Sequence, residues 1–354
     1  MHIGRFVAIS ENFKDPKIGE QTYKHLHNYL KIPLSVEKGI ELRSIKQPNA
    51  LQIFIGPKTS YSGKNIRKYM SEKTINKIKH LLYETDTKLV IHSNYLTQLS
   101  KLNKAGLNAV VAELRSAELL GAIGVVIHIG GGEKEELEIM QDVIDNAVAI
   151  IKEYNRRYGK NKGDKPKLII ETSSGKGTDV AIHLEDLGDI FVRIKEQLTK
   201  KELKMLGICI DTCHMFSAGY DFRSTKTTLS VFAKIDKHIG LKNITCIHFN
   251  DSSYEYNSRT DCHQNIGCGY IGSRNLGGSL DGFGVILLLA KQHKIPVILE
   301  TPNRSECYPT NSVTQKHKKE LAMVMSIGNT KKIIKDLKSL KLSTDYYKMV
   351  DYCT

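Results

Sequence analysis

Short apolar runs alternate with longer amphipathic stretches along most of the chain. Several runs are continuous in Ile, Val and Leu, which is typical of strands buried on both faces. Eight runs are candidate strands: Ile3–Ile9, Leu51–Ile55, Lys88–Ile91, Val125–Ile127, Lys167–Ile170, Leu206–Ile210, Ile244–Ile247 and Pro296–Leu299. The intervening helical candidates are Ile66–Tyr83, Ala105–Leu120, Glu135–Tyr154, Leu184–Leu198, Thr228–Ile239 and Leu280–His293. Strands that each precede helix-length sequence predict an α/β fold, a closed parallel (β/α)8 barrel.

A doubly wound open sheet is the structural alternative, but no GxGxxG sequence follows an early strand to support it. We therefore expect a single TIM barrel over residues 1–303, with an insertion at 10–50. Residues 304–354 are expected to form a helical extension that packs on the barrel or trails from it.

A side chain that can bind metal follows six of the eight candidate strands. These residues are His92, His128, Glu171, Asp211, His248 and Glu300. The C-terminal ends of barrel strands are where such enzymes build their active sites. Burying these side chains together costs several kcal/mol each unless they are paired or bind metal, so the pattern predicts a metal centre.

Two further motifs extend this set. Asp211 and His214 are three residues apart, a spacing that places both on one face of a helical turn. Asp261 and His263 are two apart, on one side of an extended segment. Because one zinc ion takes about three or four protein ligands, the whole set suits two or three ions, with one carboxylate bridging. The other histidines, among them His25 and His317, are interpreted as surface or structural residues.

The chain is basic, with 52 Lys and Arg against 38 Asp and Glu and a formal charge of +14. Such a surplus favours polyanions such as DNA, although it can equally serve solubility alone. The densest basic run, Arg156 to Lys167, precedes the fifth strand. In a barrel that loop lies away from the predicted metal centre, so we interpret it as solvated.

Seven cysteines are all in the C-terminal half and form no CxxC pair, which indicates neither a disulfide framework nor a thiolate zinc site. Cys209, Cys213 and Cys262 neighbour predicted ligands and are interpreted as packing residues. The N-terminus lacks the apolar stretch of a signal peptide, and no segment has the roughly 18 consecutive apolar residues of a membrane span. We expect an intracellular, soluble protein in a reducing compartment.

Five motifs, in order and at strand ends, resemble the endonuclease IV family of type 2 apurinic/apyrimidinic endonucleases. The motifs are His92–Leu96, Glu171–Gly177, Gly207–Asp221, the His248–Asp251 stretch with Asp261–Gly272, and Leu299–Pro302. The resemblance extends from about Leu51 to Asn303, and the stretch GICIDTCHMFSAGYD from Gly207 is the closest match.

The resemblance implies a trinuclear zinc site, with Mn2+ as a partial substitute. His92 and His128 would hold one ion, with Glu171 bridging to a second that Asp211, His248 and Glu300 complete. His214, Asp261 and His263 would hold the third. It also implies hydrolysis of the phosphodiester 5′ to an abasic site in double-stranded DNA, leaving a 3′-hydroxyl and a 5′-deoxyribose phosphate. Glu300 and Glu171 would be catalytic, and 3′-phosphodiesterase activity and a monomeric state are expected.

Residues outside the metal set are the expected DNA contacts. Tyr95 and Leu96 match family residues that wedge into the helix at the missing base. Lys58, Lys176 and Arg259 are candidate phosphate contacts. The family often has an Arg after the second strand; here either Lys58 would replace it or that contact would be missing. The first strand also departs from the family, with Gly4-Arg5-Phe6 in place of Gly-x-His.

Two other functions remain open on sequence grounds. A sugar isomerase or epimerase uses the same kind of metal-binding barrel but needs only one or two ions, so His214, Asp261 and His263 would be surplus. A non-catalytic binder of damaged DNA would be expected to have lost a ligand, and none is missing.

Overall fold

A closed barrel of eight parallel strands organises the chain. The computed structural model describes residues 2–6, 18–31, 48–61, 65–161, 163–303, 307–308 and 312–327. The barrel strands are β1 (Ile3–Phe6), β2 (Ala50–Phe54), β3 (Lys88–His92), β4 (Gly124–His128), β5 (Lys167–Glu171), β6 (Leu206–Asp211), β7 (Ile244–His248) and β10 (Val297–Leu299). The order around the barrel is β1-β10-β7-β6-β5-β4-β3-β2, which confirms the predicted TIM barrel.

Helices follow most of the barrel strands and cover them from outside. They are α1 (Ile18–Leu30), α2 (Glu72–Glu84), α3 (Lys104–Leu120), α4 (Glu136–Tyr158), α5 (Leu184–Glu196), α6 (Thr212–Ser217), α7 (Thr225–His238), α8 (Leu280–Gln292) and α9 (Val313–Ile327). A small antiparallel sheet, β8 (Asp251–Ser252) with β9 (His263–Gln264), lies in the connection between β7 and α8.

Alternate residues of the strands form two apolar layers. The inward layer is a cluster of small and branched side chains inside the barrel: Ala50, Val90, Val126, Ile169, Cys209, Cys246 and Ile298. The outward residues pack against the helices in the main core. Burial on both faces explains why these strands have continuous apolar runs.

Several element boundaries differ from the predictions. The predicted helix Ile66–Tyr83 is a 3-10 turn followed by α2, because Ser71 Oγ accepts from the Thr74 amide and caps the helix there. Helix α7 begins three residues before the predicted Thr228, where Ser224 and Thr227 form a reciprocal capping box. The sequence predicts the first strand over Ile3–Ile9; the structure describes it over Ile3–Phe6, and residues 7–9 lie outside the described part of the chain.

Two interpretations of the cysteines are wrong. Cys268 and Cys307 form a disulfide with their Cα atoms 6.1 Å apart, although 39 positions separate them in sequence. Cys262 is exposed rather than packed, whereas Cys209 and Cys213 are buried. Side chains at Cys262 and His263 alternate across an extended segment, so a ligand facing the site places its neighbour in solvent.

Helix α9 lies beyond residue 303 and contributes to the core. Its Leu321, Val324 and Met325 side chains are buried in the main cluster, and Glu320 is fully buried. Over the described ranges, no helix combines the length and the apolar character that crossing a bilayer requires.

Candidate metal centre

All nine predicted ligands converge at the C-terminal end of the barrel. Six of them end or directly follow a barrel strand: His92, His128, Glu171, Asp211, His248 and Glu300. Three come from the short elements above the barrel: His214 on α6, and Asp261 and His263 at β9. The register β4–β5 pairs His128 with Glu171, and the register β6–β7 pairs Asp211 with His248.

The first group consists of His92, His128 and Glu171. Glu171 Oε2 lies 3.1 Å from His128 Nε2 and 3.4 Å from His92 Nε2. One candidate donor atom from each residue lies within 4.8 Å of the others, a spacing that a shared metal ion can bridge.

The second group shares Glu171 with the first and adds Asp211, His248 and Glu300. His248 Nδ1 is at its centre, 2.7 Å from Glu171 Oε1, 3.1 Å from Glu300 Oε2 and 3.7 Å from Asp211 Oδ2. Because Glu171 directs one oxygen to each group, it has the geometry of a bridging carboxylate.

The third group is formed by His214, Asp261 and His263, close to Asp211. Asp261 Oδ1 lies 3.2 Å from His214 Nε2 and 3.5 Å from His263 Nε2. His263 Nε2 is also 3.5 Å from Asp211 Oδ2. The third group therefore adjoins the second.

Local backbone structure explains the two short motifs. Asp211 is the N-cap of α6, and its Oδ1 accepts from the His214 amide at 2.9 Å, which brings both side chains to one face. His263 pairs with Ser252 in the antiparallel sheet of β8 and β9, which keeps the Asp261–His263 segment extended.

In three of the histidines, one ring nitrogen makes a hydrogen bond outside the site and the other nitrogen is directed into the site. His92 Nδ1 lies 2.7 Å from the Ser93 carbonyl, and His214 Nδ1 lies 3.0 Å from the Thr172 carbonyl. His248 uses the opposite arrangement, with Nε2 2.8 Å from Gln52 Oε1. Such partners fix the tautomer that a metal-binding imidazole needs.

Two buried amides that hold the carboxylates are absent from the set predicted from sequence. Gln52 Nε2 donates to Glu300 Oε1 at 2.5 Å. Asn250 Nδ2 donates to Asp211 Oδ2, and Asn250 Oδ1 accepts from the Glu300 amide, each at 2.8 Å. The sequence contained a signal for both amides, because Gln52 interrupts an apolar strand and Asn250 lies inside the His248–Asp251 motif.

Opposite charges perturb the titration of the buried groups. Burial alone would raise the pKa of Glu171, but His248 and His128 outweigh it and hold the pKa well below its usual value. Burial opposes protonation of His248, yet Glu300 and Glu171 raise its pKa well above the ordinary value. Burial likewise opposes protonation of His214, yet Asp211 and Asp261 raise its pKa. The centre therefore strongly favours cations among its carboxylates.

Two cavities open onto the centre. One of about 820 Å3 is lined by His92, His263 and Glu300 and continues to Arg5, His25 and His317. The other, of about 430 Å3, is lined by His128, Glu171 and Lys176. His25 and His317, which the sequence assigns to surface or structural roles, both lie on the wall of the larger cavity.

The predicted DNA contacts differ in their exposure and in whether they line these cavities. Tyr95 and Leu96 are 51% and 49% exposed, and Tyr95 lines both cavities. Lys58 lines the larger cavity, and its carbonyl accepts from the Tyr95 amide at 2.8 Å. Arg259 instead lies against Gly175, half-buried, and lines neither cavity.

Comparison with known proteins gives a consistent result. A family model described as a xylose isomerase-like TIM barrel matches residues 49–327. A protein of Acanthamoeba polyphaga mimivirus that bears the name putative endonuclease 4 is 32% identical over 262 residues, 72% of this chain and 78% of its own length. The structure of endonuclease IV from Thermus thermophilus superposes with a TM-score of 0.66 at 22% identity, covering 92% of this chain and 98% of that one.

The barrel alone is shared with other enzymes. A 3-keto-D-glucoside 4-epimerase from E. coli superposes with a TM-score of 0.56 at 13% identity, covering 92% of this chain and 98% of that one. Structural likeness at such identities shows only the fold. The family model places the chain among the xylose isomerase-like TIM barrels. The sequence identity to the viral protein is more specific and shows that this chain belongs to the endonuclease IV family of apurinic/apyrimidinic endonucleases.

Proposed function

We propose that this protein is a zinc-dependent DNA-repair endonuclease that hydrolyses the phosphodiester 5′ to abasic sites. The observation that carries the proposal is the convergence of nine histidines and carboxylates, distant in sequence, into three adjoining groups around Glu171 and Asp211. The products would be a 3′-hydroxyl and a 5′-deoxyribose phosphate.

The residues present fit zinc. Imidazole nitrogens and carboxylate oxygens are common zinc ligands. Glu171 Oε2 and His263 Nε2 are buried and make no hydrogen bond within the described part of the chain, although charged partner atoms lie 3.1–3.5 Å away. Buried polar atoms without such bonds are costly unless another ligand satisfies them. We propose three zinc ions, one per group, with Glu171 shared between the first two.

The chemical problem is that a phosphodiester is anionic and repels a nucleophile. Zinc bound at these residues would lower the pKa of water toward about 7 and offset the charge that builds on the phosphate oxygens. In the reaction, a water oxygen bonds to phosphorus, and the bond from phosphorus to the 3′ oxygen breaks. The 3′ oxygen leaves and takes up a proton.

Exposure separates the roles of the two proposed catalytic carboxylates. The Glu171 side chain is 1% exposed, whereas the Glu300 side chain is 16% exposed and lines the larger cavity. Glu300 is therefore suited to orient the attacking water and accept its proton. Glu171 is suited to hold the first two groups together.

Recognition of the substrate is assigned to the rim of the cavities. Tyr95 and Leu96 are exposed neighbours in the loop that follows β3, and there they would form an apolar wedge that enters the duplex at the missing base. Lys58 lines the larger cavity and Lys176 the smaller one, and both are proposed phosphate contacts. Arg259 remains a predicted third phosphate contact.

A duplex oligonucleotide with one tetrahydrofuran abasic analogue tests the proposal. The zinc-loaded protein should cut the strand 5′ to the analogue and leave a 3′-hydroxyl, and a chelator should abolish cutting. Metal analysis should find about three zinc ions per chain. A content near one, without incision, would support the sugar isomerase or epimerase instead. Tight binding without incision would support the non-catalytic binder.

A further inference from the structure

A buried ion pair at the wall of the larger cavity connects the two ends of the described chain. Arg5 on β1 is 3% exposed and Glu320 on α9 is fully buried. Arg5 Nη1 lies 3.6 Å from Glu320 Oε2. Arg5 lies outside residues 49–327, which the family model matches. It also stands in the stretch Gly4-Arg5-Phe6, where this sequence departs from the family pattern.

Both members of the pair hold the segment that follows Glu300. Arg5 Nη2 donates to the Thr301 carbonyl at 3.1 Å, one residue beyond Glu300. Glu320 Oε2 accepts from Thr301 Oγ1 at 2.7 Å. The backbone that directs Glu300 into the centre is thus fixed from two sides.

Glu320 also holds the segment that follows His263. Its Oε1 accepts from Asn265 Nδ2 and from the Ile266 amide, each at 3.0 Å. Asn265 Nδ2 lies in addition 3.3 Å from the Pro302 carbonyl. Glu320 therefore joins the backbone beyond Glu300 to the backbone beyond His263 through both of its carboxylate oxygens.

We propose that Arg5 and Glu320 are positioning residues for the metal centre, holding Glu300 and His263 in the orientation that metal binding requires. The inference rests on the proposed function, because it assigns metal to those two residues. Removing a hydrogen bond made directly to a metal ligand commonly changes metal affinity or activity about 10–100-fold. Arg5 and Glu320 contact the residues just beyond the ligands, so we expect an effect at the lower end, about tenfold.

The expected effect is selective among the three groups. Glu300 and His263 belong to the second and third groups, and the network holds the backbone directly beyond each of them. The first group is held differently: His92 is fixed by the Ser93 carbonyl, and His128 by its pairing with Glu171. Loss of the ion pair should therefore weaken two of the three proposed zinc sites.

The test follows zinc retention of the zinc-loaded full chain in the presence of a competing chelator. Glu320→Gln should lose two of its zinc ions about tenfold faster than the unchanged protein, and the remaining ion at the normal rate. On the abasic oligonucleotide, kcat should fall about tenfold with a much smaller change in KM.

A matched control separates positioning from general stability. Lys165 and Glu118 form a part-buried pair, 3.2 Å apart with side chains 11% and 8% exposed. Lys165 lies two residues before β5, at the N-terminal end of the barrel and away from the centre. Glu118→Gln should lower the unfolding temperature and leave zinc retention and kcat unchanged. If Glu320→Gln likewise lowers only the unfolding temperature, the positioning role is refuted.

A second variant covers the case in which Glu320→Gln does not fold. Arg5→Met/Glu320→Leu removes both charges together and replaces them with apolar side chains of similar size, which buried ion pairs often tolerate. This variant should fold and still lose two zinc ions quickly; full retention would overturn the proposal. Zinc retention needs no DNA, so failure of the unchanged protein to cut abasic sites would refute the function and not this inference.

Discussion

Gln52 Nε2 donates to Glu300 Oε1 at 2.5 Å while Gln52 Oε1 lies 2.8 Å from His248 Nε2. One amide in the middle of β2 thereby orients two members of the second group. With Gln52 accepting from His248 Nε2, His248 Nδ1 is left to face Glu171 and Glu300. The amide has both a donor and an acceptor, and each is used.

The first prediction follows from this amide. Gln52→Leu should lower kcat for abasic-site incision about 10–100-fold and weaken zinc binding, because Glu300 and the His248 tautomer lose their common partner. Ile53→Leu, at the next position of the strand and in the outer core, is the control and should keep normal kinetics. Normal kcat and zinc content in Gln52→Leu would show that the amide is dispensable.

The second prediction concerns Glu300 itself. Glu300→Gln keeps an oxygen that can accept from Gln52 but cannot take a proton from water, so incision should fall about 10²–10⁴-fold. Circular dichroism should show an unchanged fold. Glu196→Gln, at an exposed position at the C-terminal end of α5 and so at the opposite rim of the barrel, should have full activity. Near-normal cutting by Glu300→Gln would falsify the assigned role.

The fold and the convergence of the nine residues on one rim could be predicted from sequence because both depend on local patterns. Continuous apolar runs mark buried parallel strands, and the residue that ends such a strand in a closed barrel can only lie on one rim. That is why His92 and His128, 36 positions apart in sequence, could be assigned to one site without knowing that their ring nitrogens lie beside Glu171.

The parts that could not be predicted depend on long-range contacts. Gln52 meets Glu300 across 248 positions, and Arg5 reaches Thr301 across 296. His317 lies in no motif, and it reaches the cavity because α9 folds back onto the barrel, where its Nε2 lies 2.9 Å from Asn303 Oδ1. The start of α2 also depends on recognising the Ser71 cap.

The third prediction addresses recognition of the lesion. Tyr95→Ala should reduce the preference for abasic over intact duplex about 5–30-fold, the equivalent of about 1–2 kcal/mol, because the exposed ring would no longer fill the gap left by the missing base. Competition binding with matched duplexes measures this ratio. Tyr83→Ala, at a more exposed tyrosine on α2, is the control. Equal preference in Tyr95→Ala and the unchanged protein would count against the wedge.

The fourth prediction is a pH dependence of the metal-free protein. Burial lowers the pKa values of His128, His214 and His248, but in the absence of metal the neighbouring carboxylates outweigh it and raise them above the ordinary value of 6.5. A raised folded-state pKa gives stability that is fully present below about pH 6.5 and is lost as the pH rises through the folded-state value. For each histidine, a pKa that is one unit higher in the folded than in the unfolded state adds about 1.4 kcal/mol to the free energy of unfolding at low pH.

The metal-free protein should therefore have a higher free energy of unfolding at pH 6 than at pH 9. Zinc must displace these same protons, so its binding should strengthen as the pH rises and should stabilise the protein most at pH 9. Urea unfolding followed by circular dichroism, with and without zinc at both pH values, measures the four free energies. Metal-free stability that is unchanged between pH 6 and pH 9 would mean that these histidines are not paired with the carboxylates in solution.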